Sequence, residues 1–232
     1  MKITTNDIKY LVKETIKNLY ENNGHLDKKL MDLSLAIANT VRQNLNKNTN
    51  FSLNLPLDFI KKYYPYKNPS SLKITVGKDI CYDAAQYKNE NNKKEILLNY
   101  NYIIQRTQFG LASIISHELT HFVNDNEIIT TNEIYTVDDD DIYNIVYFLR
   151  STECNARCTE FASFLYYYTK NKIFPLSFYE NITHINEIEN LINKFNNNTD
   201  KQYQLKQSNG KTLEWYMKKF RKYVSKIKKN LF

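Results

Sequence analysis

Apolar positions recur three or four apart over residues 4–20. Ile8, Leu11, Val12, Ile16 and Leu19 fall on one side behind a capping Thr5, and that period predicts a helix. Asn22, Asn23 and Gly24 end it. A second helix is predicted over 26–47, with Leu30, Leu33, Ala36, Ile37 and Val41 on one side. The pattern changes over 51–102. Pro56, Pro65 and Pro69 punctuate its first part, and then LKITVGK (72–78), ICYDAAQY (80–87) and KEILLNYN (94–101) predict three short strands. A polar stretch over 88–94 makes the turn between the last two. The helical period returns at 107–124, entered through Thr107 and Gly110. A long helix is predicted over 139–170, and two more over 183–196 and 211–231 with a polar loop between them. The tract DDDD (138–141) lacks the ligand spacing of a calcium loop, and acids favour a helix N-terminus.

This order predicts an α+β fold. A small, mostly antiparallel sheet leads into the helix at 107–124, with additional helices at the N- and C-terminal ends. Three regions follow: a helical one over 1–50, a core over 51–172, and a helical, basic one over 173–232. Composition supports a folded chain, since 42% of the 232 residues are hydrophobic and glycine and proline number only 4 each. Three cysteines, Cys81, Cys154 and Cys158, make no disulfide framework, which points to a reducing compartment. The opening MKITTNDIKYLVKETIK has no apolar core of a secretory signal, and no apolar run is long enough to span a bilayer. The expected location is therefore cytoplasmic.

Within the helix at 107–124, SHELTHFVND (116–125) holds two of the four histidines. His117 and His121 are four apart, so both imidazoles lie one turn apart on one face and can reach one metal ion. Glu118 is rotated by about 100°. It flanks the metal, where it can act as general base toward activated water. Leu111, Ile115, Leu119 and Phe122 form a separate apolar ridge, so the histidines need not serve as the core face.

Two histidines do not complete a catalytic zinc site; a third protein ligand is needed. Asp125 lies eight residues from His117, about 12 Å along a helix axis, too far for one ion. The motif H-x-x-G-x-x-H is absent, and the other histidines, His25 and His184, sit in polar surroundings. RSTECNARCTEF (150–161) offers a better candidate. Glu153 is expected in mid-helix, sharing a face with Val146, Leu149, Ala156, Phe161 and Phe164, where an unpartnered carboxylate is costly. Glu160, two turns further along, is the rival ligand, and Arg157 can pair with either acid. An exposed Arg–Glu ladder would explain both acids without a metal. Cys154 and Cys158 are also four apart, but no second pair completes a tetrahedral site, so they are read as small buried thiols.

H-E-L-T-H followed some thirty residues later by helical E-x-x-A-R resembles the gluzincins, zinc metallopeptidases with two histidines and a glutamate as ligands. The tract YFLRSTECNAR is similar to compact zincin-like peptidases often found in phage and mobile-element genomes. The resemblance spans roughly residues 72–170. It implies a zincin-like core, with strands leading into an active-site helix and a second helix carrying the glutamate. It also implies Zn2+ on His117, His121 and Glu153, with Glu118 as the catalytic base. The expected activity is hydrolysis of peptide bonds in a peptide or protein substrate, with phage or virion proteins as further partners. The helix at 4–20 is similar to the opening helix of many tailed-phage virion proteins, although a plain amphipathic helix accounts for it too.

The strand KEILLNYN is expected to offer an edge to an extended substrate. Tyr143, Tyr147, Tyr166, Tyr167, Tyr168 and His184 are all candidates for stabilising an oxyanion. The alternative is a catalytically silent zincin-like structural or interaction protein of a phage particle or mobile element. The formal charge of +7 is uneven. Residues 201–232 carry ten Lys/Arg and one acid, Glu214, which leaves the rest of the chain at −2. Leu213, Met217, Phe220, Val224, Ile227 and Leu231 predict a basic amphipathic helix there. Its Lys-heavy, Arg-poor face argues against nucleic-acid recognition and for a packed terminal helix with lysines in water.

Overall fold

The structure, a computed structural model, describes residues 28–63, 71–90, 93–124, 140–171 and 177–231. The predicted helix at 4–20, His25 and Asp125 lie outside these residues. In chain order the elements are α1 (Lys28–Leu45), β1 (Phe51–Leu55), α2 (Leu57–Tyr63), β2 (Leu72–Gly77), β3 (Ala85–Glu90), β4 (Lys93–Asn99), α3 (Tyr100–Ile103) and α4 (Gln108–Val123). Then follow α5 (Asp140–Phe148), α6 (Ser151–Asn171), α7 (Ser177–Asn196), α8 (Thr199–Asn209) and α9 (Leu213–Leu231). The architecture is α+β. Contacts divide it into two units. Of the described residues, one unit holds 28–124 and 159–171 and the other 140–158 and 177–231, so the division falls inside the unbroken helix α6.

The first unit contains a four-stranded mixed sheet in the order β1-β2-β4-β3. The outer pairings, β1–β2 and β3–β4, are antiparallel as expected, whereas the central β2–β4 pairing is parallel. After β2 the chain passes over the position β4 will fill, descends as β3, and returns as β4 between the two. Crossing that position requires about 10 Å, two strand spacings. This explains why the predicted strand 80–87 is not one: residues 80–84 are bends, and the strand starts only at Ala85. The crossing loop is fastened at both ends. Asn99 Nδ2 donates to the Cys81 carbonyl (2.8 Å), and Asn101 Nδ2 donates to Asp79 Oδ1 (3.0 Å). β4 is therefore an interior strand, which corrects its expected role as an edge. Ile96, Leu97 and Leu98 are all buried, as a strand covered on both faces demands. Among the described residues the edges are β1 and β3.

α1 and α4 pack together, burying Leu33, Ile37 and Val41 with Leu111, Ile115 and Leu119 in the same core as Ile74, Val76, Ile96 and Leu98. Tyr167 of α6 is buried in this unit. Its hydroxyl donates to the Met31 carbonyl (2.7 Å) and shares a hydrogen bond with Ser34 Oγ (2.6 Å).

The second unit is helical. α7 packs against α5, α8 and α9, and its Ile188, Ile192 and Phe195 are buried. α9 buries Leu213, Tyr216, Phe220 and Tyr223, so its stripe is rotated toward the two tyrosines from the expected Met217 and Val224. Two expectations fail here. The long helix over 139–170 is two helices. At Arg150 the N–H turns back to the Tyr147 carbonyl (3.2 Å), and Ser151 and Thr152 follow, residues better suited to a helix start than an interior. The expected polar loop after α7 is the helix α8. Asn198 caps its start by accepting from the Lys201 N–H, and Gly210 ends it at φ 69° in the left-handed region.

Candidate metal centre

α4 sets the site. Its start is fixed by Thr107, whose hydroxyl accepts from the Gly110 N–H (3.1 Å). Residues 110–120 are all buried. The helix can be enclosed on every side because its small polar residues are satisfied by its own backbone. Ser113 donates to Gly110 O (2.7 Å), Ser116 to Ser113 O (2.7 Å) and Thr120 to Ser116 O (2.8 Å).

His117 and His121 converge as their spacing predicts. Their Nε2 atoms are 3.3 Å apart. Two ligand atoms on a tetrahedral zinc ion, each about 2.0–2.1 Å from it, lie about 3.4 Å from one another. The pair is thus already at coordination distance. His117 Nδ1 is 3.1 Å from Glu160 Oε2, with both side chains 8% exposed. A carboxylate at Nδ1 holds the proton there and leaves the Nε2 lone pair turned toward His121. This is the second-layer arrangement that orients ligating histidines in metal sites.

Glu153 lies in the first turn of α6, not in mid-helix, because of the break at Arg150. It is 3% exposed, and its Oε1 accepts from Arg157 Nε (3.0 Å). The Arg157–Glu153 pair is therefore present, with the carboxylate buried and the Arg157 side chain 29% exposed. A carboxylate oxygen of Glu153 and one nitrogen each of His117 and His121 all lie within 4.8 Å of one another. The chemistry of this set, two imidazoles and a carboxylate, suits a divalent ion of the zinc type. Glu160, the rival ligand, is taken up by His117.

Glu118 is buried, and its Oε2 accepts from the backbone N–H of Tyr87 in β3 at 2.7 Å. Sequence reasoning missed this contact, since a backbone amide carries no residue-type signal. Of the oxyanion candidates, Tyr167 is engaged with Met31 and Ser34, and the Tyr166 hydroxyl reaches Asp32 Oδ1 (3.4 Å). Tyr143 and Tyr147 stack on one another in α5. The side chains of Tyr168 and His184 lie outside the described residues.

The cysteines form no metal cluster among the described residues. Cys154 is buried with its thiol toward the Phe148 carbonyl. Burial, and then the negative charges of Asp83 and Glu118, push the Cys81 thiol up to about 11, so it stays protonated at neutral pH. No family model matches the chain, and no curated protein or solved structure matches it.

Proposed function

We propose that the chain is a zinc-dependent hydrolase of peptide bonds, with His117, His121 and Glu153 as ligands and Glu118 as general base. The observation that carries this reading is the histidine pair. Two Nε2 atoms at 3.3 Å, with Glu160 against Nδ1 of one of them, have the separation of a ligand pair. A bound Zn2+ would supply a Lewis acid that lowers the pKa of water toward about 7. Glu118 accepts the proton of the attacking water and returns it to the leaving nitrogen. His117 and His121 stay neutral and keep their positions throughout. Glu160 holds His117, and Arg157 restrains Glu153. The extended substrate lies along β3, the strand nearest Glu118, and not along β4, which is paired on both sides.

One observation favours the catalytically silent alternative. The Tyr87 N–H gives Glu118 a structural use that needs no chemistry. The variant Glu118→Gln separates the two. Its amide oxygen still accepts from Tyr87 while its basicity is gone. Metal content near one equivalent, with hydrolysis of a mixed peptide library in the wild type and a loss of at least about 100-fold in Glu118→Gln, supports the enzyme. A metal-loaded wild type with no hydrolysis above the variant supports the silent protein. Phage or virion partners, suggested by the resemblance alone, belong to the same proposal. No helix among the described residues is long and apolar enough to cross a membrane.

A further inference from the structure

β3 meets the base through its backbone, and the phase of the ladder decides what that means. The Asn99 N–H donates to the Ala84 carbonyl (3.0 Å), so Ala84 and Asn99 form a hydrogen-bonded pair. In an antiparallel ladder such pairs alternate. With Gln86 opposite Leu97 and Lys88 opposite Glu95, the amides of Gln86 and Lys88 face β4. The amides of Ala85, Tyr87 and Asn89 then face away from the sheet. The Tyr87 N–H is therefore not a ladder donor that happens to pass near Glu118. It points out of the sheet, and its acceptor is the Glu118 carboxylate at 2.7 Å.

A second contact fixes the same residue to the same helix. The Tyr87 ring meets Phe122 edge-on, with centroids 6.2 Å apart and planes at 74°. Phe122 lies one turn after Glu118 on α4, so ring and amide of one strand residue grip two successive turns of the active helix. β3 and α4 are both in the first unit.

We propose that the Tyr87 backbone amide is the positioning group for the Glu118 carboxylate, fixing where the base points. This rests on the reading of Glu118 as general base. The terminal torsion of a glutamate is broad and weakly two-fold. Anchoring Oε2 on a fixed donor selects one value of it, and so sets the direction of Oε1. The anchor belongs to the strand on which the substrate is proposed to lie. Base and substrate therefore share one reference frame, and a shift of β3 moves both together.

Because the Tyr87 amide is outside the ladder, proline can replace it without breaking a strand–strand hydrogen bond, as edge strands allow. The experiment compares Tyr87→Pro, which removes the donor, with Tyr87→Ala, which keeps the donor and removes the ring. Zinc content and steady-state hydrolysis of the peptide substrate are measured for both. Amide hydrogen exchange is followed in the wild type, Glu118→Gln and Glu118→Ala, with and without zinc. We expect the Tyr87 amide to exchange at least tenfold faster in Glu118→Ala than in the wild type, while Gln86 and Lys88 keep their protection and Glu118→Gln stays near wild type. We expect Tyr87→Pro to keep one zinc and a KM within about threefold while kcat falls tenfold or more, with Tyr87→Ala much less affected in kcat. Unchanged exchange at Tyr87 in Glu118→Ala overturns the proposal, as does a Tyr87→Pro enzyme with wild-type kcat. If Tyr87→Pro does not fold, the exchange comparison decides alone. A wild type that hydrolyses nothing defeats the enzymatic reading, but the exchange result still reports whether the amide holds the carboxylate.

Discussion

Glu160→Ala tests whether the carboxylate behind His117 builds the metal site. The Nδ1–Oε2 distance is 3.1 Å, and both side chains are 8% exposed, so little water is available to replace the lost oxygen. Removing such a partner typically weakens metal binding 10–100-fold, which is about 1.4–2.7 kcal/mol. A second cost falls on the fold. The buried His117 Nδ1 proton loses its carboxylate acceptor, at about 1–3 kcal/mol. This penalty applies with or without metal, so it must be measured separately, by urea denaturation of the metal-free protein. Glu160→Gln keeps the shape and an accepting oxygen and should lose less than tenfold in affinity. The affinity is read by competition with a chromophoric chelator at pH 7. Glu153→Ala runs beside both, since losing a direct ligand should cost more than losing its support. Glu160→Ala binding zinc within twofold of the wild type would refute the orienting role. Abolished binding in Glu160→Ala with binding retained in Glu153→Ala would exchange the two roles and make Glu160 the ligand.

Tyr167→Phe should destabilise the first unit by about 1–2 kcal/mol, because its buried hydroxyl donates to Met31 O and pairs with Ser34; urea titration checks it. Cys81 should resist iodoacetamide at pH 8 in the folded protein. Its thiol is raised from 9.0 to about 11 on folding, so the stability it contributes is complete below pH 9 and is lost as the pH rises from 9 through 11; a chemical-denaturation series across that range checks the sign. A chain ending at Asp200 should lose solubility, since it uncovers Ile188, Ile192 and Phe195 by removing Leu205, Leu213, Tyr216, Phe220 and Tyr223 from the same unit. A soluble, stable truncation that has instead lost binding to anionic lipid or DNA at low salt would make the basic segment a binding surface.

What the sequence revealed of this site was what depends on short range. The histidine pair follows from four-residue spacing on a helix, and nothing distant can undo that. Glu153 was legible because a carboxylate among Ala156, Phe161 and Phe164 demands a partner. Glu160 was visible as an acid on the same face, but its task depends on the distance to His117, 43 residues away, and no periodicity encodes that. The Tyr87 contact was invisible in principle, since any residue but proline supplies the same amide. The fold shows the same division. The sequence of α8 reads as a loop because Leu205 is its one buried apolar residue among those described, although Asn198 and Gly210 mark its two ends. The strand over 80–87 was shortened by topology, because the chain must step across the slot that β4 takes. The basic character of 201–232 was legible as charge but not as placement. Lys201 pairs with Asp141 at 2.6 Å, and Lys219 lies over the Trp215 ring at 4.3 Å, where loss of solvation holds its ammonium below the ordinary value.

The charges of the site bear on the kind of ion it would take. Glu118, Glu153 and Glu160 are three carboxylates, each less than a tenth exposed, and burial of that much like charge is tolerated only with compensation. Glu118 accepts from the Tyr87 amide, Glu153 accepts from the Arg157 guanidinium, and Glu160 lies against the His117 ring. Of these three partners, Arg157 carries a permanent positive charge. With both histidines neutral, as ligation requires, these three carboxylates and Arg157 sum to −2. A bound divalent cation would offset that charge. On the proposed reading, neutral nitrogen donors at the histidines and one anionic oxygen at Glu153 would suit zinc better than magnesium or calcium, which prefer shells of oxygen. The Arg157 guanidinium offsets one carboxylate and leaves the other two for the ion.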